Sequence, residues 1–268
     1  MESSNNQLSP LTLSDLPNKN DNKCLFSIIT VVYNSASTLR RAIQSVLAQQ
    51  FNSFEYVIID GGSTDGSLEI IKEYSDQIAY WISEPDNGIY NAWNKAIKQT
   101  RGQYISFLGA DDEYLPGALL IYCNEIEKAN GCDYISSRAI LGSGSGQIFG
   151  KPLTWPEFGR YMTVAHVGSF HNSLLYREQN YDEAYVSAGD YEFLLRQGPG
   201  INAKYFDTIT VLMGANGVSN KRIILTLSET LKAKISHRSS TLLLCYLDFL
   251  WALFKSYLRA WSSILWAH

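Results

Sequence analysis

The chain has 268 residues, which is enough for one α/β domain with its own core and short for two full-sized domains. Hydrophobic residues make up 46% and charged residues 18%, the balance of an ordinary globular protein. The net charge of -4 argues against a broad basic face, so nucleic acid is not an expected partner. The four cysteines form no CxxC pair, so neither a zinc site nor a disulfide framework is indicated.

The N-terminal segment 1–24 is rich in Ser, Asn and Asp and lacks a basic start followed by an apolar run. This composition is typical of a disordered lead-in rather than of a signal peptide. We therefore expect the protein to stay in the cytoplasm.

From residue 26 onward, apolar β-branched runs alternate with segments of helical periodicity. In chain order the pattern predicts a strand at Phe26–Tyr33, a helix at Ala36–Gln50, a strand at Phe54–Ile59, a helix at Ser67–Tyr74, a strand at Ile78–Ile82, a helix at Ile89–Thr100, a strand at Tyr104–Leu108, a helix at Gly117–Asn130 and a strand at Asp133–Ser136. Such βαβ units build a mainly parallel sheet with helices on both faces, and ligands bind at the carboxyl ends of its strands.

The pattern weakens after Ser136. The GSGSG stretch at Gly142–Gly146 does not lie between a strand and a helix near the start of the sheet, so it predicts a loop or hairpin turn rather than a dinucleotide site.

Carboxylates follow two of the apolar strands directly. Asp60 comes after the second strand and Asp111-Asp112 after the fourth, so the fold carries them to the same rim. Two adjacent acids repel unless a cation or a hydrogen-bonding ligand compensates them, which favours a metal-diphosphate role for the pair. Asp65 lies just ahead of a helix and is better explained as a cap or turn former.

Four segments in order carry a family resemblance: ITVVYNSASTLRRAIQSVLAQ, YVIIDGGSTDGS, SEPDNGIYNAWNKAI and GQYISFLGADD. Together they resemble glycosyltransferase family 2, closely over Ser27–Asp112 and more loosely to about Ser219. The resemblance implies a GT-A fold, a nucleoside-diphosphate sugar donor, commonly a UDP-sugar, and a divalent metal, Mg²⁺ or Mn²⁺. We accordingly expect a GT-A domain over residues 25–219 followed by a helical extension over 220–268.

The resemblance also implies roles for individual residues around the donor. Asp60 would accept from the nucleotide base, Asp111 would face the ribose, and Asp112 would be the metal ligand. The residues implied as the edge of the nucleotide pocket are Thr30, Val32 and Tyr33. For Asp86, a donor contact and a cap of the following helix are equally open, and Lys95 is more simply a surface residue than a phosphate contact.

On the acceptor side the resemblance points to Asp190, which aligns with the Asp of the family's ED-like motif and would be the catalytic base. Gly189 replaces the usual acidic partner. Without the family, a helix N-cap would explain Asp190 equally well. The resemblance places a histidine at His166, where it could contact a phosphate or the acceptor, whereas His171 is better explained as structural.

The C-terminal segment 241–267 is strongly apolar and aromatic. On a helical projection its polar residues form one narrow stripe, made of Thr241, Asp248, Lys255, Arg259 and Ser262. The charges interrupt every window long enough for a transmembrane helix, so the pattern favours a helix lying on a membrane surface. Packing against the catalytic domain or a second subunit is the alternative.

The sequence therefore predicts an inverting, metal-dependent glycosyltransferase of bacterial surface-polysaccharide synthesis, peripheral on the inner face of the cytoplasmic membrane. Its acceptor would be a hydroxyl of a glycan or of a lipid-linked sugar. The QxxRW motif and multiple transmembrane helices of processive synthases are missing, so we expect one sugar per acceptor visit. The alternatives are an inactive nucleotide-sugar-binding partner and a nicotinamide oxidoreductase, the latter disfavoured because Tyr33–Ser37 contains no glycine.

Overall fold

The structure, a computed structural model, describes residues 25–142, 144, 146–214 and 222–265, with side chains to residue 258. The predicted lead-in lies outside these residues. The strands are β1 (Phe26–Val32), β2 (Phe54–Asp60), β3 (Tyr80–Ser83), β4 (Tyr104–Phe107), β5 (Glu113–Tyr114), β6 (Tyr134–Leu141), β7 (Ile148–Phe149), β8 (Ser169–Asn172) and β9 (Ala203–Met213). The helices are α1 (Ala36–Leu47), α2 (Ser67–Glu73), α3 (Ile89–Ile97), α4 (Ala118–Lys128), α5 (Glu157–Arg160), α6 (Gly189–Gln197), α7 (Ile223–Ser236) and α8 (Leu242–Leu265).

Within the described ranges the strands form one sheet in the order β3-β2-β1-β4-β8-β6-β9-β5, with β7 added beside β6. The first four in this order are parallel, whereas β8 runs antiparallel to both β4 and β6. The register aligns Val32 with Asp60 and Asp60 with Ser83, so the ends of β1, β2 and β3 lie side by side. This confirms the predicted α/β architecture and the shared rim of strand ends.

The strand predicted at Asp133–Ser136 continues to Leu141, because β6 pairs with β9 as far as Leu141 and Met213. β6 and β7 pair antiparallel, as a hairpin turn at the GSGSG stretch requires. Ser143 and Ser145 of that stretch lie outside the described residues.

Each face of the sheet carries a hydrophobic core. One core packs α1 and α4 on the sheet through residues such as Leu39, Ile43 and Leu119. The other packs α3 and α6 and is rich in aromatic rings, among them Tyr90, Trp93, Phe107, Tyr176, Tyr181 and Phe193.

Helices α7 and α8 pack on the elements that precede them through buried charges. Asp248 of α8 is 5% exposed and accepts hydrogen bonds from Arg160, Tyr161 and Lys234. His237, just after α7, bonds Glu192 of α6. Asp248 therefore faces the protein rather than water, whereas apolar residues of α8 such as Leu243 and Tyr257 are exposed. The polar stripe, and not the apolar arc, thus contributes the buried contact, and what covers the apolar arc stays a prediction. No helix among the described residues is long and apolar enough to cross a membrane.

Candidate active site

Asp60 ends β2 and is fully buried. Its carboxylate accepts from the Ser63 N–H at 3.1 Å, from the Ser63 hydroxyl, and from the Ser83 hydroxyl at 2.6 Å. These bonds tie the turn after β2 to the end of β3. A contact between Asp60 and a nucleotide base remains a prediction.

Asp65 caps two helices at once. One oxygen accepts from the N–H and hydroxyl of Ser67, the first residue of α2, and the other accepts from the N–H of Ala36, the first residue of α1. The hydrogen bond from the Ser67 hydroxyl, followed by that from Ala36, lowers the pKa of Asp65. The capping prediction for Asp65 is confirmed.

Of the three residues predicted to edge the nucleotide pocket, Tyr33 exposes its side chain, at 67%. Thr30 is fully buried and accepts a hydrogen bond from the Tyr56 hydroxyl, and Val32 is 2% exposed in the core. Side chains two positions apart in a strand point to the same face. Thr30 and Val32 therefore both point to the face that α1 and α4 cover. The roles of Thr30, Val32 and Tyr33 at a nucleotide pocket remain predictions.

Asp86 lies between the turns that follow β2 and β3. Its Oδ1 accepts from the Gly88 N–H at 2.8 Å, one residue before α3 begins, and its Oδ2 lies against Gly61. A Cβ on Gly61 would be 2.4 Å from that oxygen, so the close approach requires glycine there. Asp86 thus has a capping contact and a place on the rim. The Lys95 ammonium group lies 2.7 Å from the Glu84 carboxylate and so forms an ion pair with a nearby residue of the chain.

Asp111 and Asp112 follow β4 and differ in their partners. Asp112 is 8% exposed and accepts from the N–H of Gly214 at 2.7 Å and of Gly109 at 3.0 Å. Burial, with a smaller contribution from Asp111, raises the pKa of Asp112 to about 7 despite these bonds. Oδ2 of Asp111 is buried and has no hydrogen-bond partner among the described residues.

This donor set fits a divalent cation. An orphaned carboxylate oxygen beside a second, poorly solvated carboxylate is what a Mg²⁺ or Mn²⁺ ion compensates, and Mg²⁺ usually takes only one or two protein carboxylates. Within the described residues no third His, Cys, Asp or Glu joins the pair. The sequence assigned the metal to Asp112 alone, whereas here the uncommitted oxygen belongs to Asp111.

Asp190 is the second residue of α6, and its carboxylate is partly exposed. Its Oδ1 accepts from the Tyr191 N–H at 2.9 Å and lies 3.5 Å from the Tyr90 hydroxyl. That hydroxyl also accepts from the N–H of Gly189 at 2.7 Å and of Asp190 at 3.3 Å. Burial, and next the charge of Asp190, raise the pKa of Tyr90 well above its ordinary value, so the phenol keeps its proton.

The same contact explains the glycine at position 189. A Cβ on Gly189 would be 2.8 Å from the Tyr90 ring, so the side chain of an acidic residue would collide with it. Tyr90 therefore fills the space beside Asp190 that the acidic partner would need. No local sequence pattern indicates this pairing, because Tyr90 and Asp190 lie 100 positions apart.

His166 lies beside the end of β4, where its ring stacks on Trp93 and Phe107 with centroid distances of 5.2 and 5.5 Å. Burial lowers the pKa of His166, and the charge of Asp190 opposes this. His166 is thus a neutral ring near Asp190, better suited to hydrogen bonding than to pairing with a phosphate. His171 is fully buried and bonds the Tyr176 hydroxyl at 2.9 Å, as expected for a structural histidine.

Comparisons with known proteins agree with this geometry. The family model described as glycosyl transferase family 2 matches residues 27–179, more than half of the chain. An uncharacterized glycosyltransferase of Mycobacterium tuberculosis is 29% identical over 63% of this chain and 67% of its own length. The chondroitin synthase of Pasteurella multocida is 32% identical over 64% of this chain and 18% of its own length, so the chain spans under a fifth of that synthase.

Solved structures share the fold at lower identity. TarS 1–349 of S. aureus, in complex with UDP-GlcNAc, superposes with a TM-score of 0.63 at 19% identity, over 78% of this chain and 66% of that one. The mannosyltransferase PcManGT of Pyrobaculum calidifontis, in complex with GDP-Man and Mn²⁺, gives a TM-score of 0.60 at 14% identity over 92% of this chain and 81% of that one. The chain is therefore a glycosyltransferase of glycosyl transferase family 2 with a GT-A fold.

Proposed function

We propose that the protein transfers one sugar, with inversion, from a nucleoside-diphosphate sugar to a hydroxyl of a glycan or lipid-linked acceptor. The observation that carries this proposal is the partly exposed carboxylate of Asp190, which lies beside the Tyr90 hydroxyl and close to His166, whose ring stacks on Phe107 at the end of β4. A UDP-sugar is the favoured donor, in line with the UDP-GlcNAc bound by TarS. The synthases among its relatives suggest a place in bacterial surface-polysaccharide synthesis.

In the proposed step the acceptor oxygen attacks the anomeric carbon from the side opposite the nucleotide. The bond from that carbon to the diphosphate oxygen breaks, and the nucleoside diphosphate leaves with the bonding electron pair. Asp190 takes the proton of the acceptor hydroxyl. Tyr90 keeps its own proton and holds the backbone on which Asp190 lies, so it fixes the direction of the base without competing as one.

A divalent cation held by Asp111, with Asp112 beside it, would neutralise the charge that develops on the leaving diphosphate. In this proposal Asp111 binds the ion and Asp112 has a mainly structural role. Asp112 holds the backbone of Gly109 and Gly214 in place, and Asp111 offers its free oxygen to the ion.

The alternative of an inactive nucleotide-sugar-binding partner drew its main support from Gly189. Tyr90 provides a different account of that glycine, because its ring fills the space and its hydroxyl bonds the Gly189 N–H. The inactive partner is therefore the weaker hypothesis.

Calorimetric titration tests the donor site. We expect UDP to bind more tightly with Mn²⁺ than without it, and Asp111→Asn to weaken the Mn²⁺-dependent binding by at least about tenfold. GDP is titrated in parallel to identify the nucleotide. Asp112→Ala should also lose binding, at a further cost of about 1–3 kcal/mol in stability, because it leaves two backbone N–H groups without their acceptor.

Glu73→Gln, in an exposed ion pair away from the rim, is the matched control and should bind UDP as the wild type does. Failure of UDP and GDP to bind under any metal condition would contradict the proposed donor site.

We further propose that α7 and α8 hold the protein against an anionic membrane surface, on the cytoplasmic side. The outer face of α8 is apolar and exposed, with Leu243 at 70%, Trp251 at 50% and Tyr257 at 68%. The charges exposed within residues 222–258 are all cationic, namely Arg222, Lys232, Arg238 and Lys255, whereas the carboxylates of Glu229 and Asp248 are buried. Apolar side chains flanked by cations suit a surface of anionic lipid headgroups.

Vesicle sedimentation tests this surface. We expect the protein to bind phosphatidylglycerol vesicles, to bind phosphatidylcholine vesicles less, and to be released in part by salt because surface charges are screened. Leu243→Glu with Leu247→Glu should reduce binding by about tenfold or more, since each leucine contributes about 1.5–3 kcal/mol when buried. Leu120→Glu, at an exposed leucine of α4, is the matched control. Equal sedimentation of both variants with phosphatidylglycerol would overturn the proposal.

A further inference from the structure

The backbone just before Asp190 donates to a carboxylate from the C-terminal extension. Glu229 of α7 is 7% exposed, and its oxygens accept from the N–H groups of Val186, Ser187 and Ala188 at 2.8, 2.8 and 2.9 Å. The acceptor is therefore 41 to 43 positions away from its donors and belongs to a different part of the fold.

The bond from the Ala188 N–H meets a local need of α6. The first N–H groups of a helix have no partner within it, and the residue that precedes α6, Ala188, has no side chain that can accept. Glu229 supplies acceptors for residues 186 to 188, and the Tyr90 hydroxyl accepts from Gly189. Four consecutive N–H groups leading to Asp190 are thus fixed by two side chains from outside the segment.

Other residues of α7 contact the same segment. The hydroxyls of Thr226 and Ser187 lie 2.7 Å apart, and the Lys232 ammonium lies 4.4 Å from the centre of the Tyr185 ring. Thr226, Glu229 and Lys232 follow one another at three-residue intervals, so they lie close together on one side of α7. That side of the helix runs along the segment 185–188.

We propose that Glu229 is a positioning residue for Asp190, acting through the backbone of residues 186–188. This inference rests on the proposed role of Asp190 as base. A carboxylate suits the task because both of its oxygens accept, whereas a glutamine side chain offers one acceptor oxygen and turns an N–H₂ group toward the remaining backbone N–H. Glu229 is buried, and its carboxylate bonds the backbone N–H groups of residues 186–188. Asp60 and Asp112, which are proposed to act at the donor, have hydrogen bonds of their own.

The test uses the full chain and two readouts. Amide hydrogen exchange follows residues 186–188 and, separately, α7, and UDP release from UDP-GlcNAc gives kcat and KM. The variants are Glu229→Ala and Glu229→Gln. Ser228→Ala, on the exposed side of α7, is the neutral control, and Lys234→Met, which removes a buried charge of α7 that does not contact the segment, controls for general loosening of the extension.

We expect Glu229→Ala to speed amide exchange at 186–188 while α7 stays protected, and to lower kcat by about 10- to 100-fold with KM for UDP-GlcNAc unchanged. Glu229→Gln should fall between this variant and the wild type. Protection of 186–188 that persists in Glu229→Ala, or kcat that stays at the wild-type value, would overturn the inference, as would an equal loss of kcat in Lys234→Met. If the wild type releases no UDP while the amides still depend on Glu229, the proposed use of UDP-GlcNAc as donor fails, and the contact of Glu229 with the segment remains.

Discussion

Asp190→Asn is expected to reduce kcat for sugar transfer by about 10²- to 10⁴-fold, the range lost when a general base is removed. The asparagine side chain has the same shape and can still accept from the Tyr191 N–H, so the start of α6 should keep its conformation. It cannot take the proton of the acceptor hydroxyl. UDP release from UDP-GlcNAc measures the loss, and calorimetry should find UDP and Mn²⁺ binding unchanged.

Tyr90→Phe is the matched control for this variant. It removes the hydroxyl that bonds Gly189 and Asp190 but keeps the ring in the space beside Gly189, so we expect a smaller loss of kcat than in Asp190→Asn. Asp190→Asn with wild-type kcat would remove Asp190 from the chemistry. A loss of UDP binding in the same variant would instead indicate a role at the donor.

Asp248→Ala is expected to lower the free energy of unfolding by about 3–5 kcal/mol, because it leaves a buried cation without its partner. Lys234 is 2% exposed and lies 2.6 Å from Asp248. Arg160, at 2.5 Å, is more exposed and can turn toward water. Urea unfolding followed by circular dichroism measures the change.

The paired variant Asp248→Leu with Lys234→Met is the control. Replacing both buried charges with apolar side chains of similar size should recover most of the loss. If the double variant is as unstable as Asp248→Ala, packing rather than charge is the cause, and the explanation from the buried cation fails.

The same carboxylate predicts the direction of an acid effect. Burial by itself would raise the pKa of Asp248, but hydrogen bonds from Arg160, Lys234 and Tyr161 outweigh it and lower the pKa to about 2, from an ordinary value of 3.8. A group whose pKa is lower in the folded state stabilises the fold above its unfolded pKa. The contribution of Asp248 should therefore be complete above about pH 5 and be lost as the pH falls toward 2.

The sequence predicted the first half of the fold well, because each βα unit there is local. The runs at Phe26–Val32 and Phe54–Asp60 are buried on both faces and carry their own signal. Strands β8 and β9 lack such a signal, since each depends on partners far along the chain. Their edges and register follow from tertiary packing, which periodicity does not encode.

At the site, the residues that the sequence could identify act on their neighbours. Asp65 caps the helix that begins two residues later, and its position just ahead of a helical pattern predicts this role. Tyr90 and Glu229 act on residues about 100 and 40 positions away, so no local pattern reveals them. The burial of Thr30 could not be assigned to one face of the sheet from the sequence, because a buried strand without alternation does not indicate which side chains point to which face.

The carboxylate of Glu229 also restricts how the chain can be divided or recombined. A fragment that ends near residue 219, where the family resemblance fades, would leave the Val186, Ser187 and Ala188 N–H groups without an acceptor in front of Asp190. A chimaera that joins this sheet to a foreign tail would have to supply a new acceptor at the same place. Exchange of the tail alone would therefore change the support of the segment before Asp190 as well.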